Sequence, residues 1–374
     1  MNLELIATKI VSFQTKYPKK ILWLFLILNL MFIPGIFNLI NNVEPSIEKV
    51  LPAQIEEIKT MNAMRDDFGA DIVYLVVYLD DKVVDVRNPD YLKYIDLLSQ
   101  KLKTRENIIE IESLSSIGKE FNNGKIPHTI EKSQDLYSII PYTFEYTNND
   151  YSFSVLKLKT NVGSSAKLID NLFKEIEEDI ESVYEFDPGT RIEITGFPAI
   201  DRATFSVIMS DFTKITFVSM IGILIIIFFT FKSLTRGILP MAIVMNALIW
   251  TMGIAGYLNF KITVVSMVAA AMIMGLGIDF GIHQVHSYFE KRKKLMPTKS
   301  LEETVKELLR AMLGASLTTM AGFLALLFGT LPAMKTLGVI LAIGIFTTLI
   351  GAVFLLPVLI YLSDRKKLEL ENKT

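Results

Sequence analysis

Apolar residues along the chain fall into six runs, each long enough for a membrane-spanning helix. The first run covers 21–40, and the other five are 215–231, 237–258, 262–286, 311–331 and 336–362. A helix of about 20 apolar residues can cross the hydrocarbon core of a bilayer. The pattern therefore predicts a polytopic α-helical membrane protein with six transmembrane helices, one before and five after a long polar segment.

Strand and helix patterns alternate along that polar segment, 41–213. Four short runs rich in β-branched and aromatic residues predict strands over 71–79, 108–111, 151–159 and 191–195. Helices are predicted over 46–68, 89–102 and 164–183, the last from Leu168, Leu172 and Ile176 at i, i+4 and i+8. Two strand–helix–strand units in succession indicate a ferredoxin-like split βαβ domain, with another α+β sandwich as the alternative.

The distribution of charge predicts the orientation in the membrane. Lys and Arg cluster before the first span, after the second, after the fourth and beyond the sixth, whereas the polar segment is acidic. Loops rich in Lys and Arg stay on the cytoplasmic side of a membrane. We therefore expect a multi-pass protein of the cell membrane with both termini in the cytoplasm and residues 41–213 outside it.

The flanking segments complete the predicted organisation. Residues 1–20 form an amphipathic, basic cytoplasmic segment, and the span 21–40 is interpreted as an uncleaved anchor, because no A-x-A-like cleavage site follows it. The pattern Ser300-Leu-Glu-Glu303 is a capping box that predicts an amphipathic cytoplasmic helix over 300–310, lying on the membrane surface. The charged tail 363–374 is predicted to be disordered.

Composition narrows the functional classes. The 374 residues are 51% hydrophobic with a mean hydropathy of +0.40, which is typical of a membrane protein. Because the chain has no Cys, disulfides, thiolate metal sites and cysteine nucleophiles are excluded. Three His are too few for a histidine-rich metal cage, and no phosphate-binding loop, G-x-S-x-G or H-E-x-x-H motif occurs. We expect no enzyme activity, cofactor, metal or nucleic-acid partner; the expected partners are membrane lipids and a hydrophobic substrate.

One acidic residue interrupts the fourth predicted span. Asp279 and His283 lie one helical turn apart, and Gly275 and His286 share their face at helical spacing. An ionisable side chain at membrane depth costs at least ~2.5 kcal/mol and usually faces a bundle interior or a wet cavity. Asp279 could carry a proton, hydrogen-bond a neighbouring helix as a structural acid, or bind sodium. His283 is either a second proton relay or a structural hydrogen-bonding group, and His286 is placed near the membrane interface.

Other polar residues in the spans could assist Asp279. The fifth predicted span supplies the hydroxyls of Ser316, Thr318 and Thr319, and the third supplies Asn246. Hydroxyls in membrane helices often bond back to their own helix, which is the competing interpretation. No Lys or Arg lies deep in any predicted span, so a neutral, protonatable acid is favoured over a permanent ion pair. Two small residues beside the acid, Gly275 and Gly277, are predicted to allow close helix packing.

These motifs resemble those of the resistance-nodulation-division (RND) superfamily. The matching stretches are Gly275-Leu-Gly-Ile-Asp279-Phe280, Ala315-Ser-Leu-Thr-Thr-Met-Ala-Gly-Phe323, Leu337-Gly338 and Ile343-Gly344. The similarity is greatest to the MMPL and hopanoid-transporter branch, which is related to sterol-sensing domains. Many lipid-exporting relatives have Tyr where this chain has Phe280. The resemblance implies an external porter-type domain after the first helix.

The same resemblance implies a function and an assembly. Family members usually contain two such halves in one polypeptide, so a chain with one half is expected to form a homodimer, with the two Asp279 side chains near the twofold axis. The expected function is export of hydrophobic or lipid-like molecules driven by the proton-motive force. The alternatives are a non-transporting lipid- or sterol-sensing-like membrane protein and an accessory of the Sec translocon. The substrate, the direction of transport and the coupling ion, proton or sodium, remain open at this stage.

Overall fold

The structure is a computed structural model that describes residues 3–44, 46, 50–68, 71–79, 85–163, 165–263 and 265–371. Two compact units make up the described chain. The first comprises Met1–Val43, Lys49–Pro52 and Val207–Thr374, and the second Glu44–Glu48 and Ala53–Ser206. The predicted segments also include positions 1–2, 45, 47–49, 69–70, 80–84, 164, 264 and 372–374, which lie outside the described residues.

The first unit is helical and contains the apolar spans. Its helices are α1 (Leu3–Lys16), α2 (Pro18–Ile40), the greater part of α8 (Phe197–Phe231), α9 (Leu234–Tyr257), α10 (Ala269–Lys291), α11 (Pro297–Leu324), α12 (Pro332–Ile350) and α13 (Leu356–Glu371). A π turn, Gly351–Leu355, joins α12 to α13. Six stretches of the described chain are long and apolar enough to cross a membrane, one before the strands and five after the last of them. The protein is therefore a multi-pass membrane protein.

Glycines bring α2 and α9 unusually close together. A Cβ at Gly253 would lie 2.6 Å from the backbone oxygen of Phe32, and a Cβ at Gly256 would collide with the backbone oxygen of Gly35. Beside this contact Trp250 stacks on Phe25 with ring centroids 5.2 Å apart. Small residues let two backbones approach inside a membrane, where packing rather than the hydrophobic effect drives association. The first span is thereby fixed to the third along a continuous seam.

The second unit is an antiparallel sheet with helices. Its strands are β1 (Asp71–Leu79), β2 (Ile108–Glu112), β3 (Phe153–Thr160) and β4 (Thr190–Gly196), in the order β2-β3-β1-β4. Its helices are α3 (Glu56–Phe68), α4 (Pro89–Leu102), α5 (Leu114–Phe121), α6 (Ile130–Ile139) and α7 (Ala166–Ser182). Strict alternation along β1 buries Val73, Leu75 and Val77 against the apolar faces of α4 and α7.

Most predicted elements of this unit are confirmed, with shifts of one or two residues. The bounds of β1 and α4 match the prediction fully. The predicted helix 46–68 is wrong in its first part, since α3 starts only at Glu56. On α7 the buried stripe is Ile169, Leu172, Phe173 and Ile176, whereas Leu168 is exposed, because the face turned to the sheet is rotated by one residue.

Three predicted boundaries in the membrane unit are also wrong. The separate helix predicted over 300–310 is wrong, because α11 runs continuously from Pro297 into the fifth span. The Ser300 hydroxyl donates to the Leu295 carbonyl instead of capping a helix. The tail is helical to Glu371, because Asp364 is held by Arg292 and Tyr288. The fourth helix starts at Ala269, after a 3-10 turn over Ser266–Val268.

Candidate functional site

The two sides of α10 have opposite surroundings. One side is buried and consists of Ala269, Ala270, Ile273, Met274, Gly277, Ile278, Gly281, Gln284, Val285 and Tyr288. Gly275, Asp279, His283 and His286 lie on the other side, and all four are exposed. The structure therefore brings the four residues of the predicted face together on the open side of the chain.

Asp279 lines a groove between α10 and α11. The groove has a volume of about 310 Å³ and is lined by Leu276, Asp279, Phe280, His283, Leu308, Ala311, Met312, Ala315, Thr319 and Ile345. Three of these side chains are polar: the carboxylate of Asp279, the imidazole of His283 and the hydroxyl of Thr319. All other lining residues are apolar. An acid, an imidazole and a hydroxyl in such surroundings can accept, hold and pass on a proton.

The three candidate hydroxyls of α11 have different environments. Only Thr319 reaches the groove. Thr318 donates to the carbonyls of Gly314 and Ala315, both at 3.0 Å, so it follows the usual back-bonding pattern. Ser316 is fully buried, and its hydroxyl has no hydrogen-bond partner among the described residues. Of the three candidate hydroxyls, the structure places that of Thr319 in the groove with Asp279, whereas Ser316 and Thr318 are not among the lining residues.

Asn246 on α9 is buried but is not part of the groove. Only 3% of the residue is exposed, and neither atom of its amide group finds a partner in the part of the chain that the structure describes. The residues that line the groove come from α10, α11 and α12. The predicted association of Asn246 with Asp279 is therefore absent from the single chain.

The two candidate packing glycines also differ. A Cβ at Gly277 would lie 2.9 Å from Cγ2 of Thr348, so α10 and α12 meet closely at this point. A Cβ at Gly275 would meet nothing within 4 Å. Gly277 thus allows helix packing inside the chain, whereas Gly275 contributes to the open face around Asp279.

Ionic contacts secure the C-terminal end of α10. The ammonium group of Lys291 donates to the Glu303 carbonyl at 3.0 Å and pairs with the Glu307 carboxylate, which connects α10 to α11. Arg292 donates to the Asp364 carboxylate at 2.6 Å, and this connects α10 to α13. These bonds hold the helices that form the groove without placing a positive charge in it, since no Lys or Arg is among the lining residues in the described part of the chain.

The structure adds groove residues that the sequence does not single out. Leu308, Met312 and Ala315 lie on the same face of α11 as the predicted Thr319, at helical spacing, and Ile345 joins them from α12. The same helical spacing also occurs on the other faces of α11, so the sequence alone does not show which face lines the groove. Among the described residues, no group of three His, Asp or Glu side chains is arranged to hold a metal ion.

Comparisons with known proteins agree with this architecture. The family model described as the MMPL family matches residues 144–374, which is more than half of the chain. A Methanocaldococcus jannaschii protein, MJ1562, whose name identifies it only as a membrane protein, is 33% identical over 374 residues, covering 98% of this chain and 96% of that protein.

Two mycobacterial proteins match shorter stretches. The siderophore exporter MmpL5 of Mycobacterium tuberculosis is 26% identical over 227 residues, which are 58% of this chain and 23% of that protein. MmpL12 of the same species, named for transport, is 23% identical over 153 residues, 39% of this chain and 13% of that protein. The chain therefore spans less than a quarter of either mycobacterial relative. The family model and the long match to the M. jannaschii protein together show that the chain belongs to the MMPL family.

Proposed function

We propose that the protein is an RND-type transporter that uses the proton-motive force to export hydrophobic or lipid-like molecules. The observation that carries this proposal is the groove in which Asp279, His283 and Thr319 are the only polar residues among the described ones that line it. The relatives named for transport and for siderophore export support a transporter over an enzyme. Substrates with large apolar parts suit a groove whose other described lining residues are apolar.

Protonation of Asp279 is the proposed coupling step. Among the described residues that line the groove there is no basic side chain, so none of them holds the Asp279 carboxyl group in a permanent ion pair. The acid would therefore take up a proton from one side and release it to the other as helix packing changes. His283, one turn along α10, is the proposed second relay. Sodium is the competing ion, but it prefers several oxygen ligands, and the described side chains that line the groove offer only the Asp279 carboxylate and the Thr319 hydroxyl.

A homodimer is the proposed working unit. Asp279 and His283 are exposed on the single chain, in a helix apolar enough to span a membrane. A charged or strongly polar group does not face lipid at low cost, so this face needs a cover. Gly275 on this face and Gly314 on α11 are open, with nothing within 4 Å of an added Cβ, and leave room for a second helix pair. A second copy related by a twofold axis would cover both acids at once.

The sheet unit is the proposed porter-type domain outside the membrane. Its helix α4 follows β1 and its helix α7 follows β3, and the antiparallel order β2-β3-β1-β4 is that of a ferredoxin-like split βαβ fold. We place residues 41–213 outside the cell membrane and both termini in the cytoplasm. The excess of Lys and Arg in the opposite loops supports this orientation.

Reconstituted vesicles test the proposal. Proteoliposomes loaded with a pH-sensitive dye and a fluorescent long-chain phospholipid would report proton movement and lipid movement together under an imposed pH gradient. We expect Asp279→Asn to abolish both, because the amide keeps the size of the carboxyl group but cannot titrate. Glu290→Gln is the matched control, since Glu290 is an exposed acid near the end of the same helix, outside the groove. Thermal stability of each variant is measured first.

The outcomes separate the competing functions. Normal proton and lipid movement in a stable Asp279→Asn variant would make Asp279 structural and end the proton mechanism. Lipid movement that follows a sodium gradient and ignores the pH gradient would assign the coupling to sodium. Lipid binding with no gradient-driven movement in the parent protein would favour a lipid sensor. Native mass spectrometry from a bilayer mimic tests the dimer, and a monomer there would contradict it.

A further inference from the structure

In the sixth span, the backbone carbonyl of Val353 lacks the N–H donor that a regular α-helix would supply four residues later. In a regular α-helix, the backbone N–H at position 357 would donate to the carbonyl of Val353. Residue 357 is Pro, which has no N–H and whose ring crowds the carbonyl four residues earlier. The helix widens at this point into the π turn Gly351–Leu355, where the N–H of Leu356 donates to the carbonyl of Gly351, five residues back. Proline and the π turn are thus two parts of one irregularity.

A side chain from the other end of the sequence fills the gap. Nε2 of Gln14, on α1, donates to the Val353 carbonyl at 2.7 Å and lies 3.4 Å from the Phe354 carbonyl. Gln14 is 1% exposed, and its Oε1 accepts no hydrogen bond from any residue that the structure describes. Burying an amide is costly unless it is bonded, so the Val353 bond is the evident compensation for placing Gln14 here. We infer that Gln14 is a positioning residue that replaces the missing proline donor and holds the π turn in place.

The π turn determines which residues of α12 meet α10. A π turn holds one residue more than the α-helical path it replaces. With the π turn present, Thr348 packs against Gly277, and Ile345 lines the groove of Asp279. If the turn relaxed to a regular α-helix while α13 stayed in place, α12 would slip by one residue. Leu349 would then occupy the position of Thr348, and Phe346 that of Ile345.

Such a slip would change the surroundings of Asp279. Leucine is larger than threonine, and at Gly277 a Cβ would already lie 2.9 Å from the Thr348 side chain. A phenylalanine ring in place of Ile345 would enter a groove of about 310 Å³. Gln14 therefore acts on the acid through the register of α12. That Gln14 sets the register stands on these contacts alone, while its effect on transport rests on the proposed function.

Disulfide cross-linking can read the register directly. The chain has no native Cys, and a Cβ at position 277 would lie 3.5 Å from Cβ of Thr348, which is within the range of disulfide bonds. We would compare the pair Gly277→Cys with Thr348→Cys and the pair Gly277→Cys with Leu349→Cys. In the native background the first pair should oxidise rapidly and the second slowly. Gln14→Met, which keeps the length of the side chain but removes its donor, should shift this ratio about 5- to 150-fold toward the second pair.

Matched variants separate this role from general damage. Gln284→Met removes another buried glutamine amide, from α10, and should leave the ratio unchanged. Asp279→Asn should also leave it unchanged, so failure of the transport hypothesis would not imitate failure of this one. An unaltered ratio in Gln14→Met would overturn the inference.

A second measurement covers a Gln14→Met variant that folds poorly. Pro357→Ala restores the backbone N–H that can reach Val353, so it should raise the thermal stability of Gln14→Met far more than that of the parent protein. Equal effects of Pro357→Ala in both backgrounds would show that Gln14 and the proline act independently, and the inference would be abandoned.

Discussion

Gly277 is the position where a single methyl group should most clearly disturb the helices around the acid. In Gly277→Ala the new Cβ would lie 2.9 Å from Cγ2 and 3.0 Å from Oγ1 of Thr348, closer than ordinary contact distances. Forcing an extra methyl group into a packed site costs about 1–3 kcal/mol. Alanine also gains about 1 kcal/mol over glycine in a helix, which hides part of that cost. The single variant alone should therefore lose only about 0–2 kcal/mol.

A double-mutant cycle removes this masking. Thr348→Ala deletes both atoms that clash and leaves only the Cβ, at 3.5 Å. Among the described residues, the Thr348 hydroxyl bonds only within its own helix, to the Gly344 carbonyl at 2.7 Å. The helix-propensity contribution cancels in the cycle, so the coupling free energy should equal the full cost of the clash, about 1–3 kcal/mol. The double variant should therefore be more stable than the summed effects of the two single variants predict.

Thermal unfolding in one detergent, with all four proteins at equal concentration, provides the measurement. Gly222→Ala on α8 is the matched control, because a Cβ at Gly222 would meet nothing within 4 Å. That control should be neutral or slightly stabilising. If the two variants at 277 and 348 prove additive within about 0.5 kcal/mol, the close contact of α10 with α12 does not exist as described.

Two further predictions concern the sheet unit and the orientation. Burial alone would raise the pKa of Asp85, but bonds from the side chain and backbone of Arg87 outweigh it and hold that pKa below 3.8. The stabilisation is therefore complete above pH 3.8 and is lost as the pH falls through the lowered pKa. Pepsin should cleave the parent protein increasingly as the pH falls through that pKa, whereas cleavage of Asp85→Asn should have a flatter pH profile. Identical profiles would refute the assignment. Single cysteines at Asn123 and at Thr298 should react with an impermeant maleimide from opposite sides of the membrane, and labelling of both from one side would contradict the proposed topology.

Much of the fold follows from local signals. Alternating Val73, Leu75 and Val77 define β1, and Asn88 caps α4 while Pro89 starts it, so both elements are predictable to the residue. The segment around Ser300 misleads because its Ser-Leu-Glu-Glu pattern has the form of a capping box, although Pro297 already starts the helix. A local pattern cannot show that residues 300–310 and the fifth span form one continuous helix.

Long-range contacts account for the features that the sequence does not reveal. Asp364 belongs to a charged tail, and only its bonds to Arg292 and Tyr288 show why the helix continues. The π turn lies in a uniformly apolar run without a polar face, so periodicity carries no sign of it, and its partner Gln14 is more than three hundred residues away. Likewise, helical spacing places Asp279 and His283 on one face of α10. Which hydroxyl of α11 enters the groove depends on how α11 is rotated about its axis, and the sequence does not show that rotation.

The seam between α2 and α9 has a consequence for how the protein is made. The first span leaves the ribosome before the whole sheet unit and α8, and at about 5–20 residues per second the chain needs roughly 10–40 s to reach α9. During that time the surface of α2 around Gly35 has no partner helix. The side chain of Asn29, which accepts a hydrogen bond from Trp250 at 2.7 Å in the finished protein, also lacks that donor. The nascent first span must therefore wait in the bilayer or beside the insertion machinery with a polar group uncovered. The contact between α2 and α9 can therefore form only after the sheet unit and α8 have been synthesised.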